Sequence, residues 1–239
     1  MSTRLPILVY HQVDDIPPNC WYPGNYVGPA QFAAQLSLLQ RLGYSTITFA
    51  QYLAFRRGEG TIPTRPIILT FDDGYMSVKT NAYPQLVARG MTATVFVVSG
   101  QVGGTNAWDS QATQESLLGT EDILAMQAGG VEFQSHTHTH ARLPTLTPDA
   151  LRHELAHSRA ELQSLLGVPV EVISYPYGAH APQVTAMARE TGYQAGVISR
   201  RRLNAPTTDP LALRRISITS RTSVARLAWD LLRLRLHRD

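Results

Sequence analysis

The sequence holds a single cysteine, Cys20, and a single lysine among its 239 residues. One thiol forms no internal disulfide and cannot build a Cys-rich zinc site, so any transition metal here must be held by His, Asp or Glu. Charged residues make up only 16% of the chain, and no apolar run approaches the ~18 residues that a membrane span requires. Internal repeats, low-complexity tracts and Pro/Gly/Ser-rich linkers long enough to separate domains are missing too. The opening MSTRLPILVYHQV carries one Arg and a short apolar run ending at His11. That run is too short and too polar for a secretory signal, so the expectation is a cytoplasmic protein without a membrane span.

What is present is a globular composition with 44% hydrophobic residues. At roughly 150 residues per domain the length allows one large domain, and a single α/β barrel is a common solution at this size. Such a chain buries roughly 70–75% of its unfolded surface and needs no disulfide or metal merely to fold. The net charge of +3 hides an asymmetry, because residues 200–239 hold ten Arg against three Asp while the remainder is net acidic. A basic tail can serve nucleic acid, but no recognition motif accompanies it. The charge is therefore read as a solvated helix face, with no nucleic-acid partner.

Short β-branched runs alternate with helical patterns. Strands are expected at 7–10, 45–48, 66–71, 92–98, 131–135, 170–175, 194–199 and 213–218. Helices are expected at 29–42, 49–57, 80–89, 120–128 (capped by Thr120), 148–167, 181–191 and 222–237. The last helix is amphipathic, with Leu227, Leu231 and Leu234 on one side and Trp229 assigned to the core. Such alternation implies right-handed crossovers, a mainly parallel sheet and a barrel of about seven strands in one domain spanning 1–239. Residues 99–119 form a polar loop longer than a compact domain usually carries without a role. Barrel chemistry sits where strands end and βα loops begin. Polar or special-backbone residues fall at those places: His11, Asp72-Asp73, His136-His138-His140, and Tyr175-Pro176-Tyr177-Gly178.

Two adjacent carboxylates at the end of a buried strand repel each other and cost desolvation, an objection that a nearby cation removes. The ordinary alternative is an Asp helix cap with Asp-Gly as a turn. In HTHTH, an extended chain puts all three imidazoles on one face, whereas a helical turn pairs only His136 with His140. Imidazoles plus a carboxylate suit Zn²⁺ or a related divalent ion.

TFDDGY, then HTHTH, then SYPYG, in this order over residues 5–218, resemble the polysaccharide deacetylases, the NodB-homology family of carbohydrate esterases. LVYHQV resembles the subgroup of biofilm-type poly-N-acetylglucosamine deacetylases. The resemblance implies a distorted (β/α) barrel and metal-dependent removal of acetyl groups from N-acetylated sugars. It implies Asp72 as general base, and Asp73, His136 and His140 as metal ligands. The last pair selects the helical turn and leaves His138 as a neighbour. It further implies that the Tyr177 backbone N–H holds the oxyanion and that His11 is the general acid. The chain departs from the family in having Ser174-Tyr175 where an Arg usually precedes Pro-Tyr-Gly. Arg215, with Arg214 as the alternate, is the expected substitute. A late Leu-x-x-x-His element is not evident, since His237 sits on an Arg-rich terminal helix.

Trp108, Asp109, Tyr175, Trp21 and Tyr22 are expected to line a site for an N-acetylated glycan or amino sugar, with ordinary loop packing as the alternative for the loop aromatics. Two other readings stay open: an amidohydrolase of the same fold acting on a non-sugar amide, and a catalytically silent carbohydrate-binding protein.

Overall fold

The protein is described here by a computed structural model covering residues 5–236. Its strands are β1 (Ile7–Tyr10), β2 (Ser45–Thr46), β3 (Pro66–Phe71), β4 (Thr94–Val97), β5 (Glu132–Ser135), β6 (Val172–Ser174), β7 (Ala195–Ile198), β8 (Leu213–Arg214) and β9 (Ile216–Ser217). The helices are α1 (Pro29–Arg41), α2 (Phe49–Arg57), α3 (Tyr83–Val87), α4 (Thr120–Ala128), α5 (Pro148–Leu166), α6 (Pro182–Glu190) and α7 (Val224–Leu236). Every strand pair within the sheet is parallel, in the order β8-β7-β6-β5-β4-β3-β1-β9, with β2 alongside β3. β8 and β9 are consecutive in the chain, separated only by Arg215. Segment 213–217 therefore joins both edges, and the sheet is nearly closed into a barrel with helices around it.

Alternation along each strand sorts side chains to two sides. Leu8, Leu69, Val95, Phe133, Ile173 and Ile216 pack outward with helix residues such as Phe32, Leu36, Leu155 and Leu227. Ile7, Ile68, Phe96, Val172, Val197 and Leu213 point inward, and Phe49, Tyr52 and Leu53 of α2 join them. Helix α2 plugs the end where the strands begin. Its N-terminal Phe49 and Ala50 N–H groups donate to the Glu132 carboxylate, each at 2.8 Å. At the other end the inward positions turn polar: Thr70 and then Asp72, Ser174, and Arg215.

The differences from expectation are local. The segment expected as a regular helix over 80–89 begins with a π-helical turn, Val78–Ala82, which runs into α3. Pro84 has no N–H for the carbonyl four residues back, and the widened turn lies where the ladder is interrupted. Gly119, not Thr120, is the N-cap of α4, and its N–H donates to Asp122 at 2.9 Å. Trp229 is 56% exposed rather than core, because Leu227 and Leu231 occupy the buried side of α7. His237 lies outside the described residues, as does the side chain of Leu234.

Candidate active site

The mouth of the barrel opens into a cleft of about 430 Å³ that contains His11, Asp72, Asp73, Trp108, Asp109, His136, His140 and Tyr177. The adjacent carboxylates take different surroundings because the chain turns sharply between them. Asp72 continues the inward face of β3, and Asp73 (φ 72°) and Gly74 (φ 78°) are both left-handed. A Cβ on Gly74 would stand 2.8 Å from Val97 Cγ1, so the position needs glycine on both counts.

Asp72 is gripped by Arg215. Nη1 donates to Oδ1 at 2.7 Å and Nη2 to Oδ2 at 2.6 Å. Arg215 also donates to Thr70 Oγ1 at 3.2 Å and Ser174 Oγ at 3.0 Å, and its guanidinium lies 5.7 Å from the centre of the Phe96 ring. Arg215 is 1% exposed, and Ser174 Oγ donates to Asp72 Oδ2 at 3.2 Å. Burial alone would raise the Asp72 pKa, but the Arg215 charge and then that of His136 outweigh it and hold the carboxyl below its ordinary range. Arg214, the alternate, points elsewhere and lines a separate Arg-rich cleft with Arg200, Arg201 and Arg202.

Asp73 faces the imidazoles. Its Oδ1 lies 3.2 Å from His136 Nε2 and 3.3 Å from His140 Nε2, yet it is buried without a hydrogen-bond partner. The reason lies behind the rings. His136 Nδ1 is 2.7 Å from the Ser174 carbonyl, which can only accept, so a neutral His136 carries its proton there and turns a bare Nε2 toward Asp73. His140 Nδ1 is 3.2 Å from the Tyr177 hydroxyl. Asp73 Oδ1 and the two Nε2 atoms thus meet around one point, the donor set that a divalent cation such as Zn²⁺ fits, with partners that orient the rings from behind. Burial would raise the Asp73 pKa, but where the Nε2 atoms carry protons, hydrogen bonds from His136 and His140 and the His140 charge bring it well below the usual range. Burial would lower that of His136, but Asp72 and Asp73 raise it, so a proton is drawn to the place a cation would fill. For His140 burial prevails and the pKa falls.

The helical turn expected for HTHTH is not formed. After Ser135 the chain runs through a loop in which Thr137 (φ 68°) and His140 (φ 63°) are left-handed. The Thr137 N–H donates to Ser135 Oγ and the His140 N–H to Thr137 Oγ1, each at 3.1 Å. These local bonds replace a helical ladder and still aim His136 and His140 together while His138 turns away.

Tyr177 also has a left-handed backbone (φ 60°), and its ring lies under the Arg142 guanidinium at 4.6 Å. Trp108 stacks on His140 with centroids 4.6 Å apart. The 99–119 loop carries Trp108 there by folding back on itself, with the Gly103 and Leu117 N–H groups donating to Leu118 and Gly104 carbonyls. Two expected lining residues are displaced. Tyr175 is 1% exposed and donates its hydroxyl to the Leu211 carbonyl at 3.0 Å, so it is a core residue. Trp21 is 61% exposed and outside the cleft, whereas Tyr22, expected beside it, lines the cleft. Sequence reasoning missed Ser174 and Arg142, which touch Asp72 and Tyr177. For Ser174 the signal existed, a hydroxyl at the mouth end of an otherwise apolar strand.

Residues 59–196 match the model of the family described as polysaccharide deacetylase. YxkH of Bacillus subtilis (strain 168) is 30% identical over 196 residues, covering 81% of this chain and 64% of that relative, so the chain spans a little under two thirds of its length. The poly-beta-1,6-N-acetyl-D-glucosamine N-deacetylase of Staphylococcus aureus is 24% identical over 205 residues, covering 82% of this chain and 69% of the relative. Among solved structures, the Streptococcus pyogenes deacetylase PplD in complex with acetate superposes with a TM-score of 0.83 at 25% identity, covering 96% of this chain and 99% of that one.

Proposed function

The chain belongs to the polysaccharide deacetylase family, and from that premise we propose that it hydrolyses N-acetyl groups from an N-acetylated glycan in a divalent-metal-dependent reaction. The observation that carries the reading is the division between the adjacent carboxylates: Asp72 held by Arg215, Asp73 directed at the Nε2 atoms of His136 and His140. Zn²⁺ or a related ion held by Asp73, His136 and His140 would supply Lewis-acid polarisation of the acetyl carbonyl and make water more acidic.

The remaining roles belong to the chain. Asp72 accepts the proton of the attacking water, and Arg215, with Thr70 and Ser174, fixes the direction of its carboxylate. In this reading Arg215 takes over the orienting role of the Arg missing before Pro-Tyr-Gly. The Tyr177 peptide N–H stabilises the oxyanion. His11, at the end of β1, protonates the departing amine. Trp108, Tyr22 and Asp109 form the walls that receive the sugar. In this reading the whole chain is one catalytic unit, and its products are a free amino sugar and acetate. A poly-N-acetylglucosamine substrate is supported by the name of the Staphylococcus aureus relative. Among the described residues, no helix is long and apolar enough to cross a membrane.

The test is acetate release from N-acetylglucosamine oligomers by the zinc-loaded protein, with metal content measured in parallel. Acetate released only when metal is bound supports the reading. Metal bound without acetate from any oligomer, but with cleavage of a non-sugar acetamide, would transfer the assignment to an amidohydrolase. Glycan binding with neither cleavage would make the chain a carbohydrate-binding protein.

A further inference from the structure

The middle histidine of the HTHTH loop belongs to a second cluster on the outer side of the fold. The left-handed turn at Thr137 swings His138 away from the cleft and onto α5. There its Nδ1 lies 2.9 Å from Glu161 Oε2, while His157 Nε2 lies 3.1 Å from Glu161 Oε1. The donor atoms of His138, His157 and Glu161 all fall within 4.8 Å of one another. His153 stacks on His157 at 4.8 Å and stands edge-on to His138 at 5.6 Å, so a third imidazole packs beside the cluster. The helix explains the convergence: 153, 157 and 161 are spaced four apart and share one face of α5.

We propose that His138, His157 and Glu161, with His153 beside them, form a second divalent transition-metal site that ties the loop of the catalytic-cleft histidines to α5. Ion pairing alone accounts poorly for the cluster. The cluster instead brings imidazole nitrogens and a carboxylate oxygen to one place, the donor types that hold a divalent transition metal. Imidazole nitrogens with one carboxylate oxygen select ions such as Zn²⁺, Co²⁺, Ni²⁺ or Cu²⁺ over Mg²⁺ or Ca²⁺.

The surroundings hold these donors in place. Ser99 Oγ donates to Glu161 Oε2 at 2.6 Å and orients the carboxylate. Glu154 accepts the His138 and Thr139 N–H groups at 3.0 and 2.9 Å and the Thr139 hydroxyl at 2.5 Å, which pins the loop backbone to α5. Gly100 donates its N–H to the His138 carbonyl at 2.9 Å, and a Cβ there would stand 2.7 Å from that oxygen. The His157 and Glu161 side chains are 46% and 39% exposed. An ion here exchanges with solvent and binds more weakly than at the buried Asp73–His136–His140 group.

The inference rests on these side chains and is separate from the reaction assigned to the cleft. The experiment is calorimetric titration of the full chain, first stripped by chelator, with Zn²⁺ and with Co²⁺, together with metal analysis of the dialysed product. The expected result is two classes of site, one equivalent each. Glu161→Gln and His157→Ala should each weaken the second class by at least about tenfold while leaving the first class and any acetate release in place. Asp73→Asn should do the reverse. Because His157 and Glu161 lie at the surface, melting of the metal-free variants should match the parent. Uptake of a single equivalent by the parent chain would overturn the proposal, and so would two unchanged classes in both His157→Ala and Glu161→Gln. Absence of acetate release with two classes of metal site would leave it standing and count only against the deacetylase reading.

Discussion

Asp72 and Asp73 are chemically identical neighbours, and the fold gives them different surroundings through what each oxygen touches. Asp72 has both oxygens committed to a buried guanidinium, whereas Asp73 Oδ1 is buried without a donor. Asp72→Asn should therefore keep the metal while lowering kcat by about 10²–10⁴, and Asp73→Asn should lose metal affinity. Equal metal loss in both variants would end this division of labour. His11 supplies the second residue-scale expectation. His11→Ala should leave metal content unchanged and reduce turnover of the amide far more than that of an activated acetyl ester, whose leaving group needs no proton. Equal loss on the two substrates would remove His11 from the acid role. The residue types of the cleft were legible because His, Asp and Tyr fell at strand ends. Their orientations were not: Tyr175 and Tyr177 are two apart, yet one is sealed behind Leu211 and the other faces the cleft. Only the left-handed backbone at Tyr177 separates them, and propensity does not predict φ > 0 for tyrosine.

At the scale of elements, the buried strands were readable to within a residue or two because continuous apolar runs such as PIILTF leave little choice of state. The inward positions that break those runs carried information that periodicity alone did not expose. Glu132 is one of them. In VEFQS it reads as a polar strand residue, but its carboxylate accepts from Phe49, Ala50, Thr94 and Gln134 at the closed end of the barrel. Burial raises its pKa above the usual range despite those four donors. The folded state therefore binds this proton more tightly than the unfolded chain. Its contribution to stability is fully present below the ordinary glutamate pKa, declines as pH rises through the raised value, and is flat above it. Glu132→Gln should remove this component, so the difference in unfolding free energy between the parent and variant should change with pH in that window. A pH-independent difference would show that the carboxyl titrates normally. The HTHTH loop failed to be readable for a related reason. Ser135 and Thr137 hydroxyls satisfy the backbone locally, a possibility that spacing rules for helix and strand do not weigh.

For the molecule as a whole, the candidate site exists only because the barrel nearly closes. Asp72 and Arg215 are 143 residues apart in sequence, and Arg215 arrives at the gap between β8 and β9, where the last segment joins both sheet edges. Alternating strands and helices made the barrel legible, while the partner of Asp72 depended on register and could be named only as a candidate. The same topology has a consequence for stability. Asp73 follows β3, and His136 and His140 follow β5, so a cation shared among them links two strands separated by β4. Such an ion binds the folded chain and finds no assembled ligand set in the unfolded one. At a free concentration of about 100 times its dissociation constant, it stabilises by roughly 2.7 kcal/mol. For a protein of this length each kcal/mol moves Tm by roughly 2–4 °C, so chelation should lower the melting temperature by about 5–10 °C and added Zn²⁺ should restore it. Asp73→Asn should melt near the chelated parent and lose most of this response. A parent whose Tm is unmoved by chelator, with metal analysis confirming that the ion has left, would mean that the three ligands are held in position by packing alone.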